Sequence, residues 1–220
     1  MTNGLKVKKR NGAIEPIDLE KMHKMVEAAC DGLAGVSASQ VEIQSGIQFY
    51  DGISTNEIQE ILIRSASDLI DLDHPNYQFV AARLLLFATR KSLYGRMKEL
   101  PHLVDHINSC VAAKVYDYAI YDAYSLEEIQ QADKWIDHDR DFLFTYAGLR
   151  QVVDKYLVQD RSTGQVYETP QFMYMMIALT MFAKYPKATR MDYVHRYYNA
   201  ISKHKINIPT PIMAGVRTPL

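Results

Sequence analysis

LKVKKRNGAIEPIDLEKMHK, residues 5–24, decides how the rest of the chain is organised. Asn11-Gly12 is a strong short hairpin signal, because a type I′ turn needs positive φ at both central residues and this pair tolerates it. A two-residue turn predicts that Arg10 faces Ala13, Lys9 faces Ile14 and Lys8 faces Glu15, gathering several cations and one carboxylate on a small ribbon. Pro16 excludes a central strand. Asp18 stands where it can cap a helix whose apolar residues Leu19, Met22, Val26, Ala29 and Leu33 follow helical spacing. Lys21 then emerges one turn into that helix. A helix start beside Lys9 and Arg10 offers N–H groups, a positive dipole end and cations together, the combination a polyphosphate needs. The same residues also read as a solvated hairpin with its lysines outward for solubility.

The 220 residues leave room for one large or two small domains, and a hydrophobic content of 48% supports a buried core. A formal charge of −1 argues against non-specific nucleic-acid or membrane-surface binding, so the cations act locally. Cys30 and Cys110 each fall inside a helical pattern with no CxxC pairing. Neither a disulfide framework nor a zinc ribbon is supported, and a reducing, cytoplasmic location is expected. The N-terminus has no apolar core of signal-peptide length, and no window approaches a membrane-spanning run.

Beyond the first helix, GLAGVSAS is a break, and Ser37 with Gln40, or Ser39 with Glu42, offers a capping box for a short second helix. Ile47, Phe49 and the turn Asp51-Gly52 predict an extended segment near QFYDGI that adds a third strand to the hairpin. Ser54 and Glu57 have capping-box spacing for a third helix with the apolar stripe Ile58, Ile61, Leu62, Ala66 and Leu69. Its N-terminus is a second candidate anion site. Pro75 opens a fourth helix, apolar on more than one face through Val80, Ala81, Leu84, Leu85, Phe87 and Ala88, and Gly95 stops it. Arg90 and Lys91 lie in its last turns, where cations offset the negative dipole end. Residues 1–95 thus read as a four-helix domain capped by a small β-sheet.

RMKELPH is linker-like, and residues 96–220 read as a second helical region, which makes the fold mainly α within an α+β class. A helix is predicted from about 102 to 115, followed by an irregular YDYAIYDAY. Ser125 and Glu128 then start a helix carrying Ile129, Ala132 and Trp135. The run from Asp137 to Asp141 has metal-ligand residue types, but no second cluster at ligand spacing accompanies it. A junction held by Arg140 pairs is the simpler reading, and no metal is expected. KYLVQDRSTGQVYE reads as a hairpin whose runs, Tyr156 to Val158 and Val166 to Tyr167, flank a loop with Gly164. Pro170 starts a Met-rich helix stopped by Pro186, with the methionines as core filler, and a last helix runs from about 188 to 203. NIPTPIMAGVRTPL reads as a proline-punctuated loop that is still apolar where it stops, which predicts a chain cut from a longer protein.

In order, KKRNG, EPIDLEK, YDGIST and AARLLLFATRK resemble the ATP-cone of ribonucleotide reductases. WIDHDRDFLFTYAGLRQVVDKYLVQ and IPTPIMAGVRTP look like the helical region that leads into the catalytic barrel of the class Ia large (alpha) subunit of the enterobacterial kind. The resemblance covers essentially the whole chain. It implies an allosteric site for ATP as activator and dATP as inhibitor, with magnesium accompanying the nucleotide. That site maps onto Lys9, Arg10, the segment Glu15, Pro16, Ile17, Asp18, Leu19, Glu20 and Lys21, then Thr55, Gln59 and Lys91. Lys9, Arg10, Lys21 and Lys91 would converge to neutralise the triphosphate, Thr55 and the helix starts would donate to it, and Glu15 and Asp18 would accept from the adenine amine.

Two positions depart from the family pattern: Asp18 where close relatives carry Asn, and Gln59 where they carry His, which bears on how strictly base and sugar are read. The resemblance further implies a ribonucleoside-diphosphate reductase as parent, with a radical-carrying beta subunit, an alpha homodimer, and thioredoxin or glutaredoxin as reductant, but no DNA or membrane partner. Thr210 in Pro209-Thr210-Pro211 matches a residue that touches the substrate diphosphate. No catalytic residue falls in this stretch: the radical-chemistry cysteines would follow Leu220, leaving Cys30 and Cys110 as inert core thiols. Two alternatives are a stand-alone helical interaction module and a cone-containing transcriptional regulator; the latter type joins its cone to a zinc ribbon, for which this chain has no CxxC pair.

Overall fold

The computed structural model describes residues 4–9 and 12–219. They form two units. The first gathers the chain up to Ala88 together with Phe144–Arg150, and the second comprises Thr89–Leu143 and the chain from Gln151 onward.

In the first unit, strands β1 (Lys6–Lys8), β2 (Ile14–Pro16) and β3 (Ile53–Ser54) make a sheet of order β2-β1-β3, with β1 antiparallel to β2 and parallel to β3. β3 is the extended segment expected near QFYDGI. The Asp51-Gly52 turn feeds it: Gly52 takes φ +84°, its N–H donates to the Lys6 carbonyl at 2.8 Å, and Asp51 Oδ1 accepts the Lys6 N–H at 2.8 Å.

The hairpin register differs from the two-residue expectation. Lys8 faces Ile14 and Val7 faces Glu15, so the connection holds residues 10–12, of which Arg10 and Asn11 lie outside the described residues. The cause is Gly12, at φ +85°, whose N–H donates to the Lys9 carbonyl at 2.9 Å while the Lys9 N–H reaches the Ala13 carbonyl at 2.8 Å. A glycine in the left-handed region at the end of a three-residue loop absorbs the extra residue. The slip moves Glu15 off the Lys8 face and onto the face of Val7 and Lys9.

Helix α1 (Leu19–Cys30) is capped as expected, with the Asp18 carboxylate accepting the Lys21 N–H at 2.9 Å, but it ends before Leu33. Its last turn has no cation, and Arg83 supplies one from outside by donating Nη1 to the Asp31 carbonyl at 2.6 Å and the Ala29 carbonyl at 3.2 Å. Helix α2 (Ala38–Gly46) starts after Ser37, yet among the described residues Ser37 makes no side-chain cap bond. The Gln40 that would complete the box instead accepts the Tyr77 hydroxyl, and that hydroxyl receives the Ser37 N–H at 3.0 Å. Helix α3 (Thr55–Asp68) does carry the full Ser54–Glu57 box. Helix α4 (Tyr77–Tyr94) begins two residues after Pro75 and buries Val80, Ala81, Ala82, Leu84, Leu85 and Leu86, which accounts for its apolar character on several faces. Val7, Val26, Val41, Ile53, Leu62 and Val80, all 2% exposed or less, mark the core of this unit.

The second unit is helical: α5 (Leu103–Ala112), α6 (Ala119–Ala123), α7 (Leu126–Asp133), a 3₁₀ turn His138–Leu143, a π turn Val152–Tyr156, α9 (Pro170–Phe182), α10 (Lys187–Ser202) and α11 (Thr210–Gly215). Helix α8 (Tyr146–Gln151) falls mostly in the part assigned to the first unit. α9 is buried continuously from Pro170 to Leu179, including Met173, Met175 and Met176, so the methionines fill the core. The Ser125–Glu128 box forms as expected, but Trp135 lies past the end of α7 and stacks on His195 with centroids 4.5 Å apart.

Three further expectations change. Gln159 and Val166 make an isolated bridge where a hairpin was expected, and Tyr156 belongs to the π turn rather than a strand; the bonds Asp160 N–H to Gln165 O and Tyr167 N–H to Val158 O, with Gly164 at φ +72°, keep the chain reversal. In the acidic run, Arg140 pairs with Asp137 at 3.2 Å, but the fully buried Asp141 pairs with Arg90 at 2.9 Å. The tail forms α11 and returns Arg217 to the interior. Among the described residues no helix is long and apolar enough to cross a membrane.

Candidate functional site

The parallel register of β1 and β3 sets Lys8 beside Ser54, the residue before α3, so the end of β1 meets the start of that helix. Lys9 Nζ lies 3.2 Å from Glu15 Oε2, a diagonal cross-strand pair made possible by the register slip, with both side chains partly exposed. At the same helix start the Ser54 hydroxyl accepts the Glu57 N–H at 3.1 Å, and the Glu57 carboxylate accepts the Ser54 N–H at 3.0 Å and the Tyr50 hydroxyl at 3.0 Å. These bonds, those from Ser54 first, hold the Glu57 carboxyl below its ordinary pKa. Thr55 carries its hydroxyl on the first helical residue, half-exposed, and Gln59 lies one turn further along, 8% exposed. A cation, a hydroxyl and a helix N-terminus therefore meet at one end of β1.

The segment Pro16 to Lys21 stands at the other end. The Ile17 N–H donates to the Leu5 carbonyl at 2.9 Å, which returns the chain past the start of β1 before α1 begins. Asp18 Oδ1 accepts the Lys21 N–H at 2.9 Å. Glu20 pairs with Lys24 at 2.6 Å, Leu19 is half-buried, and Lys21 is exposed. Lys91 is half-buried in the last turn of α4, in the second unit, and Arg10 lies outside the described residues. The structure therefore pairs Lys9 with Glu15 and brings the end of β1 to the start of α3, while the segment Pro16 to Lys21 stands at the other end of β1.

Thr210 is the first residue of α11 and exposed, its hydroxyl 3.3 Å from that of Tyr156. Behind it lies a buried network that residue spacing did not reveal. Arg217 and Glu168 form an ion pair with both side chains fully enclosed. Glu168 also accepts the Tyr116 hydroxyl and the Val158 N–H, and Arg217 donates to the Met213 carbonyl at 2.6 Å and the Tyr156 carbonyl at 2.8 Å. The available signal was a single arginine in an otherwise apolar tail. Both cysteines are free, and burial pushes the Cys30 thiol up to about 11 and the Cys110 thiol up to about 12, which leaves neither a ready thiolate. Among the described residues no group of three His, Cys, Asp or Glu is placed to hold a metal ion.

Residues 5–92 match the ATP cone domain, and residues 142–220 match the ribonucleotide reductase all-alpha domain. Over 219 of its 220 residues the chain is 50% identical to the ribonucleoside-diphosphate reductase subunit alpha of Haemophilus influenzae, covering 29% of that protein. The ribonucleoside-diphosphate reductase 1 subunit alpha of Escherichia coli is also 50% identical, with 29% covered. The subunit alpha of Helicobacter pylori is 34% identical over 212 residues, 96% of this chain and 26% of that protein. The chain thus spans 29% of the length of the first two relatives.

Proposed function

We propose, since the chain belongs to the ribonucleoside-diphosphate reductase alpha-subunit family, that its N-terminal domain is an allosteric sensor for adenine nucleotides. ATP binds as activator and dATP as inhibitor, each with magnesium, and the state of the sensor governs reduction of ribonucleoside diphosphates by the whole protein. The observation that supports this most directly is the pairing of Lys8 with Ser54, which brings the end of β1 to the start of α3 within the stretch matched to the ATP cone. Phosphate oxygens take the place of the Glu15 carboxylate on Lys9, with Thr55 and the α3 start as hydrogen-bond donors. Glu15, once released, and the Asp18 carboxylate accept from the adenine amine, which guanine does not offer at that position. Arg10 and Lys21 add to the charge balance and Gln59 lies toward the sugar. Pro16, Ile17, Leu19 and Glu20 shape the segment between them.

ATP and dATP differ by one hydroxyl, so their opposite outcomes arise from differential contacts in two states of the protein. In the whole protein the readout passes to the radical-carrying beta subunit, within an alpha homodimer that thioredoxin or glutaredoxin re-reduces in the cytoplasm. We place the boundary of the sensor near residue 95 and assign Thr210 to the substrate diphosphate.

Titration calorimetry of the chain with ATP, dATP and GTP tests this. ATP and dATP bind saturably below millimolar concentration and GTP more weakly. Lys9→Ala costs about tenfold in affinity, the loss of one charge-assisted contact of roughly 1.5 kcal/mol. Equal affinity of the Lys9→Ala variant and the parent chain would remove the proposed site.

A further inference from the structure

A cleft of about 250 Å³ lies wholly within the second unit, between the last turn of α4, helix α5 and the segment 165–167. Asp105 and Ser109 stand exposed at its rim, Tyr94 and Pro101 form part of its walls, and the buried pair His106 and Cys110 makes its floor. The network behind that floor decides which nitrogen of His106 carries the proton. Tyr116 gives its one hydroxyl proton to Glu168, whose carboxylate is ion-paired with Arg217 and has none to return. Toward His106 the Tyr116 oxygen can therefore only accept, so Nε2, 3.0 Å away, is the protonated nitrogen. Nδ1 is then a bare acceptor. Burial keeps the ring neutral, with its pKa lowered to about 4. Nδ1 meets the Tyr94 hydroxyl at 3.4 Å, longer than an ordinary bond from an O–H donor, and Cys110 Sγ at 4.0 Å. The Cys110 thiol has another acceptor, the Tyr167 carbonyl at 3.5 Å. The floor of the cleft thus holds a buried acceptor that is only loosely engaged.

We propose that this cleft binds a small planar heteroaromatic ring that bears an N–H donor and no negative charge, oriented by His106 Nδ1. Each part of that description has its own cause. The N–H answers Nδ1, because a buried acceptor gains most from a donor that reaches it at full strength. A flat ring suits walls that include Tyr94, Pro101 and Val166, which offer apolar surface to its faces. The volume is below that of pockets for drug-sized ligands, which limits the ligand to one or two fused rings. An anion is disfavoured, since Asp105 stands at the rim and among the described residues no lysine or arginine lines the cleft. Specificity follows from the fixed tautomer: Tyr116 and Glu168 hold Nδ1 as an acceptor, so a ring with only acceptor nitrogens meets the wrong partner. The site makes no use of the first unit and is independent of the adenine-nucleotide reading.

NMR titration of the chain with indole, N-methylindole and indoleacetate tests the assignment. Indole moves the amides of His106, Cys110 and Tyr167 saturably and shifts the ring nitrogen Nδ1 of His106, which shows as unprotonated before ligand is added. N-methylindole has the same shape and more apolar surface but no N–H, and it binds about fivefold more weakly; indoleacetate, which keeps the N–H and adds a carboxylate, binds about tenfold more weakly. His106→Phe brings indole down to the affinity of N-methylindole and leaves N-methylindole within about twofold of its affinity for the parent chain. No saturable shift by indole at its solubility limit overturns the proposal, as does N-methylindole or indoleacetate binding as tightly as indole. A proton found on Nδ1 of the free chain, or an indole affinity unchanged in His106→Phe, overturns it as well. The three probes are compared on the parent chain, so the result stands even where His106→Phe lacks a native circular-dichroism spectrum.

Discussion

His106 is 3% exposed, stacked on Phe172 with ring centroids 4.1 Å apart, and its Nε2 lies 3.0 Å from the Tyr116 hydroxyl. Burial lowers its pKa to about 4, so between the unfolded value near 6.5 and that point the unfolded chain binds a proton the folded chain refuses. Stability therefore falls as pH drops through this window, by roughly 3 kcal/mol from this one group. Asp141 acts with the opposite sign, because burial, against the pull of Arg90, raises it to about 6 and the folded state takes up its proton first. Urea denaturation at pH 7 and pH 5 separates the two. His106→Phe keeps the ring stack and loses less stability on acidification than the parent chain; equal losses would show that another group carries the effect. At Glu168, substitution by Gln strands Arg217 in the interior and costs roughly 3–5 kcal/mol, as breaking a buried ion pair does. A cost below about 1 kcal/mol would mean that neutral hydrogen bonds hold α11.

Four pairs in the sequence are read as capping boxes with serine-plus-three spacing, two of them alternatives for the start of α2, and they behave differently. Ser54 and Ser125 form full boxes, whereas Gln40, the partner of Ser37, is drawn away by Tyr77 from 37 residues along the chain. Thermal melts therefore expect Ser54→Ala and Ser125→Ala each to cost about 1 kcal/mol, and Ser37→Ala only a few tenths. A comparable loss at all three would contradict the cap assignments. The longer helices were legible because their signals are local: apolar spacing, a cap and a stop; the short α6, α8 and α11 carry no such set and were not. The hairpin pairing was not, since Asn11-Gly12 fits a two-residue or a three-residue connection, and the φ of +85° at Gly12 together with the Lys9 N–H to Ala13 bond selected the longer one.

Within the second unit, α9 is the element most withdrawn from solvent, whereas in the first unit all three residues of β2 are exposed. Native-state hydrogen exchange should find the slowest amides between Met173 and Leu179 and rapid exchange along β2, because opening a buried helix approaches global unfolding and an exposed edge opens locally. β2 amides as protected as those of α9 would refute that ordering. The assignment of Phe144–Arg150 to the first unit, although residues on both sides belong to the second, had no trace in composition or in any break of pattern. It depends on contacts between segments far apart in the chain.

The sequence by itself determined the longer helices, the turn at Asp51-Gly52, the caps at Asp18, Ser54 and Ser125, the Met-rich core helix and the family, all written in neighbours a few residues apart or in the order of short motifs. Tertiary structure decided the strand pairing that brings Lys9 to Glu15 and Lys8 to Ser54, the partner of each buried charge, and the folding of the apolar tail into α11. The reason is range. A cap or a stripe is satisfied within one or two turns, but Arg90 finds Asp141 across 51 positions and Arg217 finds Glu168 across 49, and nothing near a buried charge in sequence says which distant opposite charge will be enclosed with it.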